Sequence, residues 1–207
     1  MDICRISNLA EAAAFHHGPQ VDLSGKPYFE HLSRVAYRLM ELKIERLVVA
    51  GYFHDFPEDV ENADAIMDKL PLGVDERVLI DSMRVGDIPK GVSYDRFYLG
   101  FYIKPMAKTP ELALVKISDL LDNTDPGRFT AVDVKSIRRT HKYKIAIEYL
   151  LRSLEGTEYS LEKLRGVAPR FALEIESRIN FLEVFCEEHS MIISKSGYEK
   201  IKNEFEM

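Results

Sequence analysis

The chain has 207 residues, of which 46% are hydrophobic and 30% are charged, so it can bury a core of its own and is too balanced for a disordered or low-complexity protein. Its formal net charge of −6 argues against a general nucleic-acid binder, which needs a basic surface. It has two cysteines, no apolar run approaching the roughly 20 residues of a membrane span, and no signal-peptide pattern at its N-terminus, so we expect a cytoplasmic protein without a membrane or nucleic-acid partner.

Helical periodicity runs through the whole chain, and no segment shows the convincing apolar–polar alternation of a half-buried strand, which predicts an all-α protein. Asn8 and Glu11 have the spacing of a capping box and predict that the first helix begins at Asn8. Pro27 suits the first position of a second helix. Residues 45–55 are apolar on nearly every side and predict a buried central helix, which Pro57 breaks or restarts.

The second half of the chain has the same helical character. Thr109 and Pro110 form a strong helix start before an apolar stretch, and residues 194–207 look like a polar C-terminal extension. No internal repeat and no long linker divides the chain. The remaining helices are expected over residues 61–70, 74–84, 93–103, 130–154 and 160–189.

The dipeptide His54-Asp55 ends the buried apolar helix, where a carboxylate and an imidazole need partners. By itself the pair is a weak signal, because a histidine satisfied by a neighbouring backbone group is the simpler explanation. His31 on the preceding helix and Asp119 on the inward face of a later helix could complete a site of two histidines and two carboxylates. Such nitrogen and oxygen ligands suit Mn, Fe or Zn better than they suit a structural thiolate site.

Two further acids, Glu58 and Asp59, follow the dipeptide and give the motif HDFPED over residues 54–59. A metal site with open positions binds water and lowers its pKa, and a neighbouring carboxylate can take the proton. The alternative is a solvated first turn of the next helix, where the helix dipole favours acids. That alternative would be preferred for the acid pair alone, but beside His54-Asp55 the catalytic interpretation is the stronger one.

These motifs together resemble the HD-domain metal phosphohydrolases. The resemblance is closest to the alarmone hydrolases, which are the hydrolase domain of the bifunctional RelA/SpoT enzymes and its small stand-alone relatives. It covers about residues 8–150, and the acid pair two residues after His-Asp is its most specific element. The segments that carry it are GKPYFEH (25–31), HDFPED (54–59) and LVKISDLLDN (114–123).

The resemblance implies an HD-domain helical bundle over residues 1–155, with residues 156–207 as a C-terminal helical extension packed on the same domain. It implies hydrolysis of the 3′-pyrophosphate of guanosine tetra- or pentaphosphate, with one divalent metal ion, Mn, as cofactor and a nucleotide as substrate. The extra helices could cap the site or form an interface in a homo-oligomer. Position by position, the implied roles are metal binding by His31, His54, Asp55 and Asp119, water activation by Glu58 and Asp59, and nucleotide contact by Tyr28, Asn123 and Tyr143.

A cluster of basic residues lies in the segment KSIRRTHKYK, where Lys135, Arg138 and Lys142 have the spacing i, i+3 and i+7 and share one helical face. In an acidic protein such a face could hold a phosphorylated substrate, which makes Arg138 and Lys142 candidate binding residues. A solvated helix face with ion pairs along the helix is an equally good interpretation. Tyr143 could be a core aromatic or a base-stacking residue, and Lys116 could be functional or merely exposed.

The chain departs from the family pattern at three places. Gln20 and Val21 stand where alarmone hydrolases usually carry an Arg-Lys pair, Leu120 replaces a basic residue after the metal-binding Asp, and Phe56-Pro57 replaces a small or β-branched pair. These changes leave a second interpretation open, an HD-type nucleotidase or phosphodiesterase that acts on another phosphorylated small molecule. A third is a regulatory binding module without turnover, against which the intact acid pair argues.

Overall fold

The chain folds as a bundle of helices. The structure is a computed structural model, and it describes residues 1–22, 24–129, 132–195 and 197–207. Over these residues no strand forms, and the one extended pairing is the isolated bridge between Val21 and Pro27. The expected all-α class is confirmed. In the first half, the helices are α1 (Ile3–His17), α2 (Tyr28–Met40), α3 (Glu45–Phe53), α4 (Phe56–Asp59), α5 (Ala63–Met67) and α6 (Val74–Met83).

The second half continues with α7 (Tyr94–Arg96), which passes through a π-helical segment (Phe97–Ile103) into α8 (Lys104–Met106). The long helices of this half are α9 (Pro110–Asn123), α10 (Val134–Ser153) and α12 (Pro169–Glu188). A 3-10 turn (Pro126–Arg128) follows α9. The remaining short helices are α11 (Leu161–Val167), α13 (Ser190–Ile193) and α14 (Tyr198–Glu204).

Two helix starts differ from the sequence prediction. The helix α1 begins before Asn8, because Asp2 caps it by accepting a hydrogen bond from the Arg5 backbone N–H at 3.0 Å. Pro27 is the residue before α2 rather than its first residue. The predicted start of the long helix near residue 130 lies outside the described residues, and α10 itself is capped by Asp133.

The core is built around α9, whose residues Leu112 to Asp122 are all buried, and around the contact of α2 with α3. These two helices approach so closely at Gly51 that an added Cβ would lie 2.8 Å from the Ala36 Cα. The glycine therefore permits the crossing that brings the two histidine-bearing helices together. None of the described helices is long and apolar enough to cross a membrane.

The C-terminal segment is more than the polar extension that its composition predicts. Tyr198 is buried, and the Phe205 ring packs directly over Gly100 in the π-helical segment. The Lys104 ammonium donates a hydrogen bond to the Phe205 carbonyl at 2.7 Å. Helix α14 is thus packed onto the bundle, while the division at residue 155 stays a prediction.

Candidate functional site

The four residues predicted to bind a metal meet at one point between α2, α3 and α9. The Nε2 atoms of His31 and His54 are 3.3 Å apart, and the Asp119 Oδ1 lies 3.4 Å from the first and 3.5 Å from the second. The Asp55 Oδ2 is 3.0 Å from the His54 Nε2 and 3.5 Å from the His31 Nε2. His31, His54 and Asp119 are almost fully buried, and their ligand atoms have the mutual spacing of a metal site.

Hydrogen bonds on the far side of each imidazole determine which atoms face this point. The His54 Nδ1 lies 2.9 Å from the Gly51 carbonyl, which can only accept, so that nitrogen carries the proton. The His31 Nδ1 lies 2.7 Å from the Asp122 carboxylate and is likewise the donor. When neither ring carries a second proton, His31 and His54 present two Nε2 lone pairs to two carboxylate oxygens. This arrangement needs a cation, and its nitrogen and oxygen donors suit a divalent metal ion.

The charges of the cluster shift the pKa values of His54 and Asp119. Burial opposes protonation of His54, but the Asp55 charge together with hydrogen bonds to Asp119 and Asp55 raises the pKa of His54 well above its ordinary value. Burial also works against ionisation of Asp119, yet Lys116 and His54 lower the pKa of Asp119. The carboxylates thus stay ionised and attract positive charge.

Three polar side chains hold the two carboxylates in place. The Tyr28 hydroxyl donates to the Asp55 Oδ2 at 2.5 Å, and the Asn123 amide donates to the Asp119 Oδ1 at 2.5 Å. The Lys116 ammonium is 2.8 Å from the Asp119 Oδ2 and is buried, so it is not a merely exposed lysine. Tyr28 and Asn123, predicted to contact the nucleotide, here contact the candidate metal ligands.

The acid pair Glu58 and Asp59 lies on α4, one turn beyond Asp55, and both residues are exposed. The Glu58 Oε1 accepts a hydrogen bond from the Val85 N–H at 2.6 Å. Partial desolvation of the carboxyl group and the nearby Asp55 charge raise the pKa of Glu58, although the Val85 N–H opposes them. Desolvation and Asp55 also raise the pKa of Asp59. A raised pKa brings a carboxylate closer to the basicity that proton transfer at neutral pH requires.

A cavity of about 540 Å³ opens between α7 and α10 and contains the predicted basic face. Lys142 is only 5% exposed, which corrects the picture of a solvated cation. Its ammonium lies 4.5 Å from the ring centre of Tyr94 and 4.7 Å from that of Tyr98, and 3.3 Å from Asp95. The cationic and aromatic residues that line this cavity are Tyr94, Lys135, Arg138, Arg139, Lys142, Tyr143 and Tyr198.

One buried aromatic ring links the basic cavity to the candidate metal cluster. The Tyr98 ring lies between two ammonium groups, with Lys142 at 4.7 Å and Lys116 at 5.9 Å from its centre. Lys116 in turn pairs with Asp119 of the cluster. Lys142 of the cavity and Lys116 of the cluster therefore contact the same buried ring.

The sequence interpretation missed the charged residues behind His31. Asp122 is fully buried and contacts His31, Arg34 and Arg128. One signal was present: an acid inside the apolar stretch of α9 needs buried partners, just as Asp119 does. The arginines gave no such signal, because Arg34 and Arg38 have the spacing of an ordinary exposed helix face.

The departures from the family pattern have a structural consequence in the loop before α2. The Gln20 amide donates to the Asp59 carbonyl at 2.7 Å, and its oxygen lies 2.8 Å from the His17 Nδ1. Val21 is 61% exposed. The neutral Gln20 amide therefore lies beside the acid pair, and the apolar Val21 follows it, at the two positions where the family resemblance implies cations.

Comparisons with known proteins agree with this geometry. No protein-family model matches the chain. A curated relative named probable GTP pyrophosphokinase, from Mycobacterium leprae (strain TN), is 25% identical over 210 residues, which cover 93% of this chain and 26% of the relative. The chain thus spans about a quarter of the length of that relative.

A solved structure of a protein described as a metazoan ortholog of SpoT that hydrolyzes ppGpp and plays a role in starvation responses has a TM-score of 0.62 with this chain. The match covers 87% of this chain and 96% of the other at 21% sequence identity. At that identity the likeness establishes a shared fold. The resemblance to the RelA/SpoT branch is therefore confirmed at the level of the fold.

Proposed function

We propose that this chain is a metal-dependent phosphohydrolase that removes the 3′-pyrophosphate from guanosine tetra- or pentaphosphate or from a related nucleotide. The observation that carries the proposal is the buried point where two Nε2 lone pairs and two carboxylates converge, one helical turn from an acid pair. The similarity to a probable GTP pyrophosphokinase and to a SpoT ortholog supports the alarmone as the substrate class.

The cofactor in this proposal is one divalent metal ion held by His31, His54, Asp55 and Asp119. Mn is the metal that the family resemblance favours for this set of nitrogen and oxygen donors. When bound, such an ion polarises a phosphoryl oxygen and lowers the pKa of a coordinated water. Tyr28, Asn123 and Lys116 restrain the carboxylates, so little reorganisation is needed when the substrate binds.

Glu58 and Asp59 are the proposed proton acceptors for the attacking water. Their position beside Asp55 and their raised pKa values support this role. The Val85 N–H holds the Glu58 carboxylate by one oxygen, which leaves the other free to accept a proton. In the proposed step the acid pair takes a proton from water as the water oxygen attacks the phosphorus attached to the ribose 3′-oxygen. The bond between that phosphorus and the 3′-oxygen breaks, the pyrophosphate keeps the water oxygen, and the 3′-oxygen takes a proton and leaves as the hydroxyl of the nucleotide.

The basic cavity is the proposed nucleotide site. Lys135 and Arg138 can pair with phosphates, Lys142 supplies a buried positive charge behind them, and Tyr143 is placed for contact with the base. Tyr28 and Asn123 are proposed to contact the nucleotide at the edge of the metal cluster. A cytoplasmic location and a homo-oligomer stay predictions from the sequence.

A second candidate function is favoured by the loop before α2. Because Gln20 is bound to Asp59 and Val21 is apolar, the chain lacks there the cations that the family resemblance implies beside the nucleotide. Each missing charged hydrogen bond changes binding by roughly 1.5–3 kcal/mol. A nucleotidase or phosphodiesterase that acts on a different phosphorylated small molecule is therefore the alternative.

The decisive experiment is a hydrolysis assay with Mn and three kinds of substrate: guanosine tetraphosphate, its adenosine counterpart, and nucleoside 5′-monophosphates. We expect release of pyrophosphate from the 3′-pyrophosphorylated nucleotides and none from the Asp55→Asn variant. Cleavage of monophosphates alone would replace the alarmone proposal by the nucleotidase alternative. Absence of turnover on every substrate would leave a binding module.

A further inference from the structure

The face of His31 that points away from the candidate metal cluster meets a carboxylate that the proposed mechanism does not use. The Asp122 side chain is fully buried on α9, and its Oδ2 lies 2.7 Å from the His31 Nδ1. A carboxylate removed from water in this way needs strong partners. Its pairing with one particular histidine therefore requires an explanation.

Three guanidinium groups surround Asp122 and keep it ionised. The Arg34 Nε donates to the Oδ1 at 2.6 Å, the Arg38 Nη1 lies 3.5 Å from the same oxygen, and the Arg128 Nη1 donates to the Oδ2. The His31 Nδ1 thus faces a charged acceptor rather than a neutral acid.

Arg128 also links Asp122 to the loop before α2. The Arg128 Nη2 is 3.2 Å from the Asp22 Oδ2, and the Asp22 Oδ1 accepts hydrogen bonds from the Ser24 backbone N–H at 2.8 Å and the Lys26 N–H at 3.1 Å. Helix α2, helix α9, the 3-10 turn and this loop therefore meet at one buried carboxylate. The position of Asp122 is fixed from several sides.

We propose that Asp122 is the positioning residue of His31, which it holds in the Nδ1–H tautomer with the Nε2 lone pair directed into the cluster. A charged acceptor on one ring nitrogen increases the donor strength of the other, and it also fixes the ring orientation. His54 has only the Gly51 carbonyl in the equivalent place, so His31 is the stronger of the two nitrogen ligands. The expected effect on metal affinity rests on the proposed function, whereas the expected His31 tautomer does not.

The first test compares Asp122→Asn, which keeps the shape and removes the charge, with Glu174→Gln. Glu174 pairs with Arg38 at 2.6 Å in the same network and is a matched control on its outer side. Calorimetric titration with Mn should show a loss of roughly 10–100-fold in affinity for Asp122→Asn. Glu174→Gln should stay within about twofold of the wild-type protein, because its effect is indirect.

The second test needs no variant. The imidazole ¹⁵N shifts of His31 in the metal-free wild-type protein, at about pH 9 so that the ring is neutral, should show a protonated Nδ1 and an unprotonated Nε2. An Nε2–H ring would overturn the proposal, and this holds even if Asp122→Asn does not fold. Unchanged Mn affinity in a folded Asp122→Asn protein would also overturn it.

The outcomes separate this inference from the proposed function. If the wild-type protein and a His54→Ala variant bind Mn equally, or neither binds it, the proposed metal site is wrong, and the tautomer measurement still tests Asp122. If His54→Ala loses Mn and Asp122→Asn keeps it, the metal site is right and the positioning role of Asp122 is wrong.

Discussion

Glu58 combines two properties that rarely occur together in an exposed acid, a fixed carboxylate and a raised pKa. We expect Glu58→Gln to keep the fold and the Mn affinity but to lower kcat by about 10²–10⁴-fold, because the amide cannot take a proton. The measurement is steady-state hydrolysis together with Mn titration. Glu61→Gln, a change at an exposed acid outside α4, is the control and should leave kcat unchanged. Equal rates in the two variants would favour the alternative, in which Glu58 is a solvated acid in the first turn of a helix.

Lys142 is a charged residue whose expected role depends on its burial. Its ammonium is enclosed by Tyr94 and Tyr98 and pairs with Asp95, and desolvation lowers its pKa. We expect Lys142→Met to raise KM for the nucleotide by roughly 10-fold or more with a smaller effect on kcat, because a charge at the substrate site is lost. Lys135→Met, at an exposed position on the same cavity, should have the smaller effect on KM. The reverse order would contradict the proposed role of the buried cation.

At the scale of helices, Gly51 controls how closely α2 and α3 approach. Gly51→Ala places a Cβ against the Ala36 backbone, so we expect the free energy of unfolding to fall by about 1–3 kcal/mol. Mn affinity should fall as well, because the two helices carry His31 and His54. Chemical denaturation and Mn titration measure the two effects. Gly166→Ala in α11, where an added Cβ meets no neighbour within 4 Å, is the control and should be neutral or stabilising.

The π-helical segment is the element onto which the C-terminal helix packs. A Cβ at Gly100 would overlap the Phe205 ring, so we expect Gly100→Ala to displace α14 and to speed amide hydrogen exchange over residues 198–205. Since Tyr198 lines the basic cavity, KM for the nucleotide should rise in the same variant. Gly86→Ala, at a site with open space, provides the comparison. Unchanged exchange in the Gly100→Ala protein would show that α14 is not held by this contact.

For the whole molecule, the candidate metal cluster joins three helices and directs two carboxylates to one point. A ligand that binds only the folded state stabilises it by about 2.7 kcal/mol at 100 times its Kd. We therefore expect Mn to raise the Tm of the wild-type protein well above its value in a chelator. The His54→Ala variant should show little or no shift. A wild-type Tm that is insensitive to both Mn and chelator would argue against the metal site.

The sequence by itself predicted the helical class, which the structure confirms, and the residues of the candidate metal cluster, which stay a prediction. Apolar periodicity depends only on the local order of side-chain types, so it predicted most of the helices. It did not predict that α1 begins at Ile3, because the single capping residue Asp2 is a weak sequence signal. His31, His54, Asp55 and Asp119 were found because their spacing resembles a known motif. Their convergence in the structure agrees with that prediction, while their catalytic roles stay proposals.

The tertiary structure decided what each charged side chain faces. Nothing in the local sequence distinguishes Lys142, enclosed by tyrosines, from the exposed Lys135 on the same helical face. Nor does it show that Asp122 meets His31 and Arg34 from another helix. The free energy of a buried charge depends on partners that are distant in sequence, because burial strengthens electrostatic interactions and makes unpaired charges costly. The packing of α2 against α9 brings His31 and Arg34 to Asp122, and the packing of α10 against the π-helical segment brings Tyr98 to Lys142.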